Sequence, residues 1–345
     1  MKTNKIILIL FTLVLQNSVL FGQQGTPENV NNMNQAFKQL DQIYSKIDSL
    51  LDNYLDEEAE VLLVEYKKVL QQTGKISGIK KDHPYLNKHN ALFIRCKSRL
   101  NMPFEKSPAY DSVALELNKA EQYAKLSGDY KTQAAILFSK TSLYQVDDKD
   151  KAIQAAKTAL SLGQIFKDDT IQALAYERLG RLFVFGKSKF IMTEYCMKSM
   201  ELFEKVGMLD KAAKAAERLA SFADSLNNEQ TIKLYDRSIA LYKKSGDIDN
   251  LAYSYENLAY YYSKFKSKDT IKLAILYCDS ALNIWKDYEN VVCKIRNLNI
   301  KVNCYSRLEQ TENIFDQRQK QFEFANLNKD STLIVNTSLN LADSY

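Results

Sequence analysis

Residues 175–183 read AYERLGRLF, residues 215–223 read AAERLASFA, and residues 254–262 read SYENLAYYY. A Glu-x-Leu-small signature therefore recurs at Glu177, Glu217 and Glu256, in steps of 40 and 39 residues. Self-similarity at a fixed period of this size points to an array of supersecondary units stacked on one another. The stretches that follow say what the unit is. KAEQYAKLSGD, KSMELFEKVGM and RSIALYKKSGD each place a small residue (Ala120, Ser199, Ser238) eight positions before a glycine (Gly128, Gly207, Gly246). Ala159 and Ala281 continue the series, so successive landmarks lie 39, 40, 39 and 43 residues apart. The spacing predicts one helical hairpin per unit.

Each part of the unit has a physical task. A small residue in the second helix lets a neighbouring backbone approach closely, while larger side chains fill the space around it. Glycine at the helix end adopts the left-handed conformation that satisfies the last carbonyls without a Cβ penalty. Asp129 and Asp247, which follow two of these glycines, are placed to cap the next helix. In the first helix Leu179, Leu219 and Leu258 point inward, each followed by a small residue (Gly180, Ala220, Ala259) and then by Phe183, Ala223 or Tyr262.

Composition agrees. The chain has 345 residues, 46% hydrophobic and 26% charged, enough to bury a sizeable core. All four prolines fall at or before Pro108 and the last glycine is Gly246, which favours uninterrupted helices over the remainder. No Asn-Gly or Asp-Gly turn and no sustained alternation signals a strand. The fold class read here is all-α, a right-handed superhelical solenoid of antiparallel helix pairs. A formal charge of +5 is too small to argue for nucleic acid or an anionic membrane surface. Five cysteines at uneven spacing make no disulfide framework and read as small buried hydrophobes.

The first residues differ in kind. Lys2 and Lys5 precede the apolar run Ile6–Leu15, and Gly22 precedes Gln23. This predicts a signal peptide over 1–22, with an uncleaved anchor as the alternative, and hence an exported, periplasmic chain. Residues 23–107 read as an N-terminal helical or capping region with an irregular connector, and 108–345 as the repeat array.

The repeat resembles the tetratricopeptide repeat family in a long-unit variant of about 40 residues. Leu179-Gly180 with Phe183, and Leu258-Ala259 with Tyr262, are similar to the family's first helix. Ala274, Cys278 and Ala281 are similar to its second. Met192, Cys196, Ser199 and Thr231, Tyr235, Ser238 follow the same spacing more loosely. The resemblance implies a non-catalytic scaffold binding a protein or peptide segment on a concave face lined by the first helices. Tyr253, Glu256 and Tyr260 fall on that face, as do Glu177 with Arg181, and Glu217 with Lys214. Stacked, the three glutamates form a ladder of like charge that a partner or the neighbouring Arg178 and Arg218 must compensate. This predicts a preference for basic or neutral segments bearing an apolar anchor.

Catalytic and metal signatures are absent from the sequence, and no cofactor is expected. His83, His89 and Cys96 in DHPYLNKHNALFIRC read as a polar stretch leading into a helix, with a zinc site as the alternative. The final STLIVNTSLNLADSY repeats the first-helix spacing at Leu341-Ala342 and Tyr345. It predicts an array interrupted in mid-repeat, with a membrane span and an output domain beyond it. The chain would then be the sensory part of a membrane-bound signalling protein, such as a histidine kinase or a helix-turn-helix regulator.

Overall fold

The computed structural model describes residues 28–343, apart from 77–78, 80–81, 185–188, 223–226, 288–290 and 330. The leader at 1–22, Ala223 and Tyr345 lie outside the described residues. The described residues form fifteen α-helices and one 3-10 turn, with no strand among them. The chain divides into two compact units between Ala155 and Ala156.

The first unit holds α1 (Glu28–Asp52), α2 (Asp56–Thr73), α3 (Pro84–Leu100), α4 (Pro108–Ser127) and α5 (Tyr130–Tyr144), and α6 (Lys149–Ile165) begins in it. The boundary read at 107/108 falls in the connector between α3 and α4. Residues 28–107 are more regular than the sequence suggested, carrying three helices around one core. That core includes Leu40, Ile47 and Leu51 from α1, Leu62, Tyr66 and Leu70 from α2, and Leu86 and Cys96 from α3. His83 caps α3, accepting from the Tyr85 amide at 3.2 Å, and Pro84 occupies the first turn, where a missing N–H costs nothing.

The reading of His89 as part of a polar stretch is corrected. It lies one turn into α3 with its side chain fully enclosed. The polar stretch ends at the cap.

The second unit continues with α7 (Asp169–Leu182), α8 (Lys189–Lys205), α9 (Leu209–Phe222), α10 (Asn228–Ser245) and α11 (Ile248–Ser263). It ends with α12 (Lys268–Ile284), α13 (Val291–Arg307), α14 (Thr311–Asn328) and α15 (Ser331–Ala342). Consecutive helices pack on one another throughout α7 to α15. Their short connections make neighbours antiparallel. Asp168 and Asp247 cap α7 and α11 through the amides of Ile171 and Asn250, and Asn227 with Gln230 forms a reciprocal capping box on α10.

The landmark positions do what their size predicts. Leu179, Leu219, Leu258, Ala159, Ser199, Ser238 and Ala281 are all buried. The serines are satisfied as well as small: Ser199 Oγ donates to the Ala173 carbonyl at 3.2 Å, and Ser238 Oγ lies 2.9 Å from Ser254 Oγ. A Cβ on Gly180 would stand 2.7 Å from Cys196 Sγ, so α7 and α8 approach as closely as they do only with glycine there. Gly128, Gly207 and Gly246 all take positive φ at the ends of second helices.

Candidate functional site

The first helices of the second unit, α7, α9, α11 and α13, are joined by a row of side chains. Glu177 lies 3.8 Å from Arg218 Nη2 of the next first helix and 3.8 Å from Arg181 of its own. Glu217 accepts from Asn257 Nδ2 at 2.5 Å and from Ser254 Oγ at 3.4 Å, both on α11. Glu256 accepts from Asn297 Nδ2 at 2.5 Å and pairs with Arg296 Nε, both on α13. Each carboxylate thus reaches forward to the residue one place past its own counterpart in the following repeat. The ladder of like charge is compensated from helix to helix: Glu177 stands beside Arg218, as the sequence allowed, while Glu217 and Glu256 accept from carboxamides of the following first helix, which the sequence did not show.

Matching does not restore what burial removes. Burial pushes the Glu217 carboxyl above the usual carboxylate range, against the lowering by Asn257, Ser254, Lys214 and Arg218. Burial does the same to Glu256, against Arg296 and Asn297. Only 6% of Glu256 is exposed. Glu217 and Glu256 are therefore held between first helices and present little carboxylate to solvent.

The other residues read as the binding face divide. Tyr253 is half-buried, edge-on to Trp285 with centroids 5.2 Å apart, and its hydroxyl accepts from Cys293 Sγ at 3.2 Å. Arg181 is exposed beside Glu177. Tyr260 is 54% exposed, with Lys264 Nζ 4.2 Å from its ring centroid. Tyr260 and Glu256 come together in a groove of about 500 Å³ between α11 and α13, completed by Asn257, Ser263, Arg296, Asn299, Ile300 and Asn303.

The α13 half of this groove is new. A signal for it existed: Arg296-Asn297-Leu298-Asn299 repeats Glu256-Asn257-Leu258-Ala259 at an offset of 40, with Leu298 buried as Leu258 is. The repeat had changed its glutamate to arginine, and so escaped a search for Glu-x-Leu. Arg296 is held in place by Glu256, by Cys293 Sγ at 3.4 Å and by the Tyr253 ring at 5.8 Å, yet 48% of its side chain stays in solvent. Asn299 Oδ1 accepts from Gln321 Nε2 at 2.9 Å. The groove thus offers carboxamides, a fixed guanidinium, an aromatic ring and one aliphatic side chain. Such a set can donate and accept hydrogen bonds and stack against a ligand.

A second polar cluster sits inside the first unit. Tyr66 Oη lies 2.6 Å from His89 Nδ1, and His89 Nε2 faces Asp41 Oδ1 at 3.4 Å. Asp41 also takes Lys88 Nζ at 3.1 Å and the Tyr85 hydroxyl. Burial, and then Lys88, push the His89 pKa down to about 4 despite Asp41. Burial likewise pushes the Cys196 and Cys304 thiols up to about 11, which keeps them protonated at neutral pH. No group of three or more His, Cys, Asp or Glu among the described residues is arranged to hold a metal ion.

No family model matches the chain, and no curated protein sequence does. Solved structures do. The chain superposes over 92% of its length, at 16% identity and a TM-score of 0.62, on a Signal Transduction ATPase with Numerous Domains (STAND) protein with a tetratricopeptide repeat sensor from Pyrococcus horikoshii. The match covers 48% of that protein, so the chain spans about half its length. A Rap protein complexed with Competence and Sporulation Factor matches 89% of the chain and 98% of itself, at 12% identity and a TM-score of 0.46. At such identities the likeness is one of backbone. The fold of this chain is a tetratricopeptide-like helical solenoid.

Proposed function

We propose that the chain is a non-catalytic scaffold that holds a segment of another protein along the first-helix face of its second unit. The groove between α11 and α13 carries this reading. Its amides lie on the exposed sides of two helices whose buried sides are fixed by the Glu256 clasp, so the donors are preorganised before a partner arrives. The basic start and short apolar run before Gln23 support export, which puts the encounter in the periplasm. A second reading makes the same face the input of a sensor. It rests on the match to part of a larger protein described as carrying a repeat sensor.

The test is a peptide array probed with the purified chain and with Tyr260→Ala and Asn303→Ala variants. Binders are expected that weaken on both substitutions and not on Leu276→Ala, an exposed change on α12. Binders indifferent to Tyr260 and Asn303 would remove the face from the function.

A further inference from the structure

The charge left on this face differs from what its sequence advertises. Three of its acids, Glu177, Glu217 and Glu256, are spent between helices. Its cations are less consumed: Arg181 and Lys214 are exposed, Lys264 lies over the Tyr260 ring, and Arg296 keeps about half of its side chain in solvent. The exposed acids of the same stripe, Asp210 and Asp249, sit at the starts of α9 and α11. Asp249 precedes Tyr260 by eleven residues, about 16 Å along the helix. Within the groove, therefore, Glu256 is the one carboxylate and it is enclosed, while Arg296, Asn257, Asn299 and Asn303 all carry N–H donors.

We infer that the groove selects an acidic extended segment, whose carboxylate side chains meet Arg296, Lys264 and the amides of Asn299 and Asn303 while an apolar residue rests on Tyr260 and Ile300. The inference rests on the scaffold reading above and adds the partner's chemistry. A basic segment would meet the exposed part of Arg296 and the neighbouring Lys264 with no exposed carboxylate among the lining residues to receive it, and would be disfavoured. Guanidinium and ammonium groups only donate, so the occupant has to accept. Nucleic acid is also anionic, but phosphate recognition asks for a run of cations along the strand. Here amides separate two of them.

The experiment uses fluorescein-labelled peptides identical but for charge, GSEIEIEIEGS with its lysine and glutamine counterparts, and a twelve-nucleotide oligothymidine. Fluorescence anisotropy with the full chain reads the affinities. The glutamate peptide is expected to bind about tenfold or more tightly than the other two, and to weaken as salt rises. Joint Asn299→Asp and Asn303→Asp substitution should lower its affinity about tenfold, and Asn303→Lys should raise it. Both sites are exposed, and unchanged far-ultraviolet circular dichroism would exclude misfolding. If the lysine or glutamine peptide binds best and still depends on Tyr260, the scaffold reading survives and acid selection falls. If no peptide depends on Tyr260, both fall. Tightest binding by oligothymidine would overturn the inference in favour of nucleic acid.

Discussion

Two polar clusters stabilise this protein by opposite means. In the first unit, Asp41, Tyr66, Tyr85, Lys88 and His89 close on one another within three helices around an enclosed imidazole. In the second, Glu177, Glu217 and Glu256 never meet; each is handed to the next first helix. The closed cluster fixes one packing of α1, α2 and α3. The open row fixes a relation between neighbours, and so extends as far as the repeat does. A polar group whose partner lies one period away is recognisable by its period, whereas one whose partners come from unrelated positions is not.

The largest break in the comparison comes from beneath the row. Leu219 lies fully enclosed under the Glu217 clasp, with no polar substitute for its volume. Leu219→Ala is expected to cost about 2–5 kcal/mol through lost burial and a residual cavity. Urea denaturation followed by fluorescence reads this in the second unit, because the chain's one tryptophan is Trp285, buried at the end of α12. A cost below about 1 kcal/mol would mean that the helix pairs close over the gap and that the repeat is less tightly packed than the structure has it.

Mild acid should separate the two clusters by sign. His89 falls from an unfolded value of 6.5 to about 4 in the fold. The unfolded chain therefore binds more protons between those values. The stability that neutral His89 contributes is present above pH 6.5 and is lost as pH falls toward 4, about 3 kcal/mol in all. Asp41, held below its ordinary value, stays ionised through this window. Glu217 and Glu256 run the other way. Their folded carboxyls sit above the unfolded value, so the folded state takes protons first and the row gains stability as pH falls toward 4.5. Hydrogen exchange, corrected for its intrinsic pH dependence, should show α3 losing protection between pH 7 and 5 while α11 does not. His89→Gln should abolish the slope in α3. A flat α3 profile in the unsubstituted chain would contradict a neutral buried imidazole.

What the sequence disclosed follows the same division. Helix pairing, the inward leucines, the left-handed glycines and the small residues at Ser199, Ser238 and Ala281 were legible because each recurs at a fixed offset and each has one physical use. Tyr260 and Glu256 were legible as residues of one helix side, since seven and four are helical spacings. The destination of the glutamates was not. Periodicity places Glu217 on a face but says nothing of whether Asn257 on the next helix leans toward it. Arg296 was hidden by its own substitution, and the set of Asn299 and Asn303 by the lack of any counterpart earlier in the row. His89 was misjudged because neighbouring Asp82, Lys88 and Asn90 made its surroundings in sequence look solvated. Its surroundings in space are Tyr66, Tyr85 and Asp41.

The smallest effects sharpen the row itself, because its clasps are unequal. Glu256 is the most enclosed and meets a guanidinium and a carboxamide, and Asn297 Oδ1 has no partner of its own. Glu256→Ala would strip Asn297 Nδ2 of its charged acceptor and leave it the Cys293 carbonyl alone, at about 2–3 kcal/mol, the half-exposed Arg296 recovering part of its loss in water. Glu217 meets only neutral donors, so Glu217→Ala should cost about 1–2 kcal/mol. Glu177 lies 3.8 Å from its two arginines, beyond hydrogen-bond range, and Arg181 keeps about half of its side chain in solvent. Glu177→Ala is expected to cost about 1 kcal/mol, because no hydrogen bond is lost and only the long ion pairs with Arg181 and Arg218 go. The three substitutions compared by urea denaturation should rank in that order from Glu256 to Glu177. Equal costs would show that the clasps act as one cooperative chain, and a reversed order would place the tight end of the row at α7 instead of at the groove.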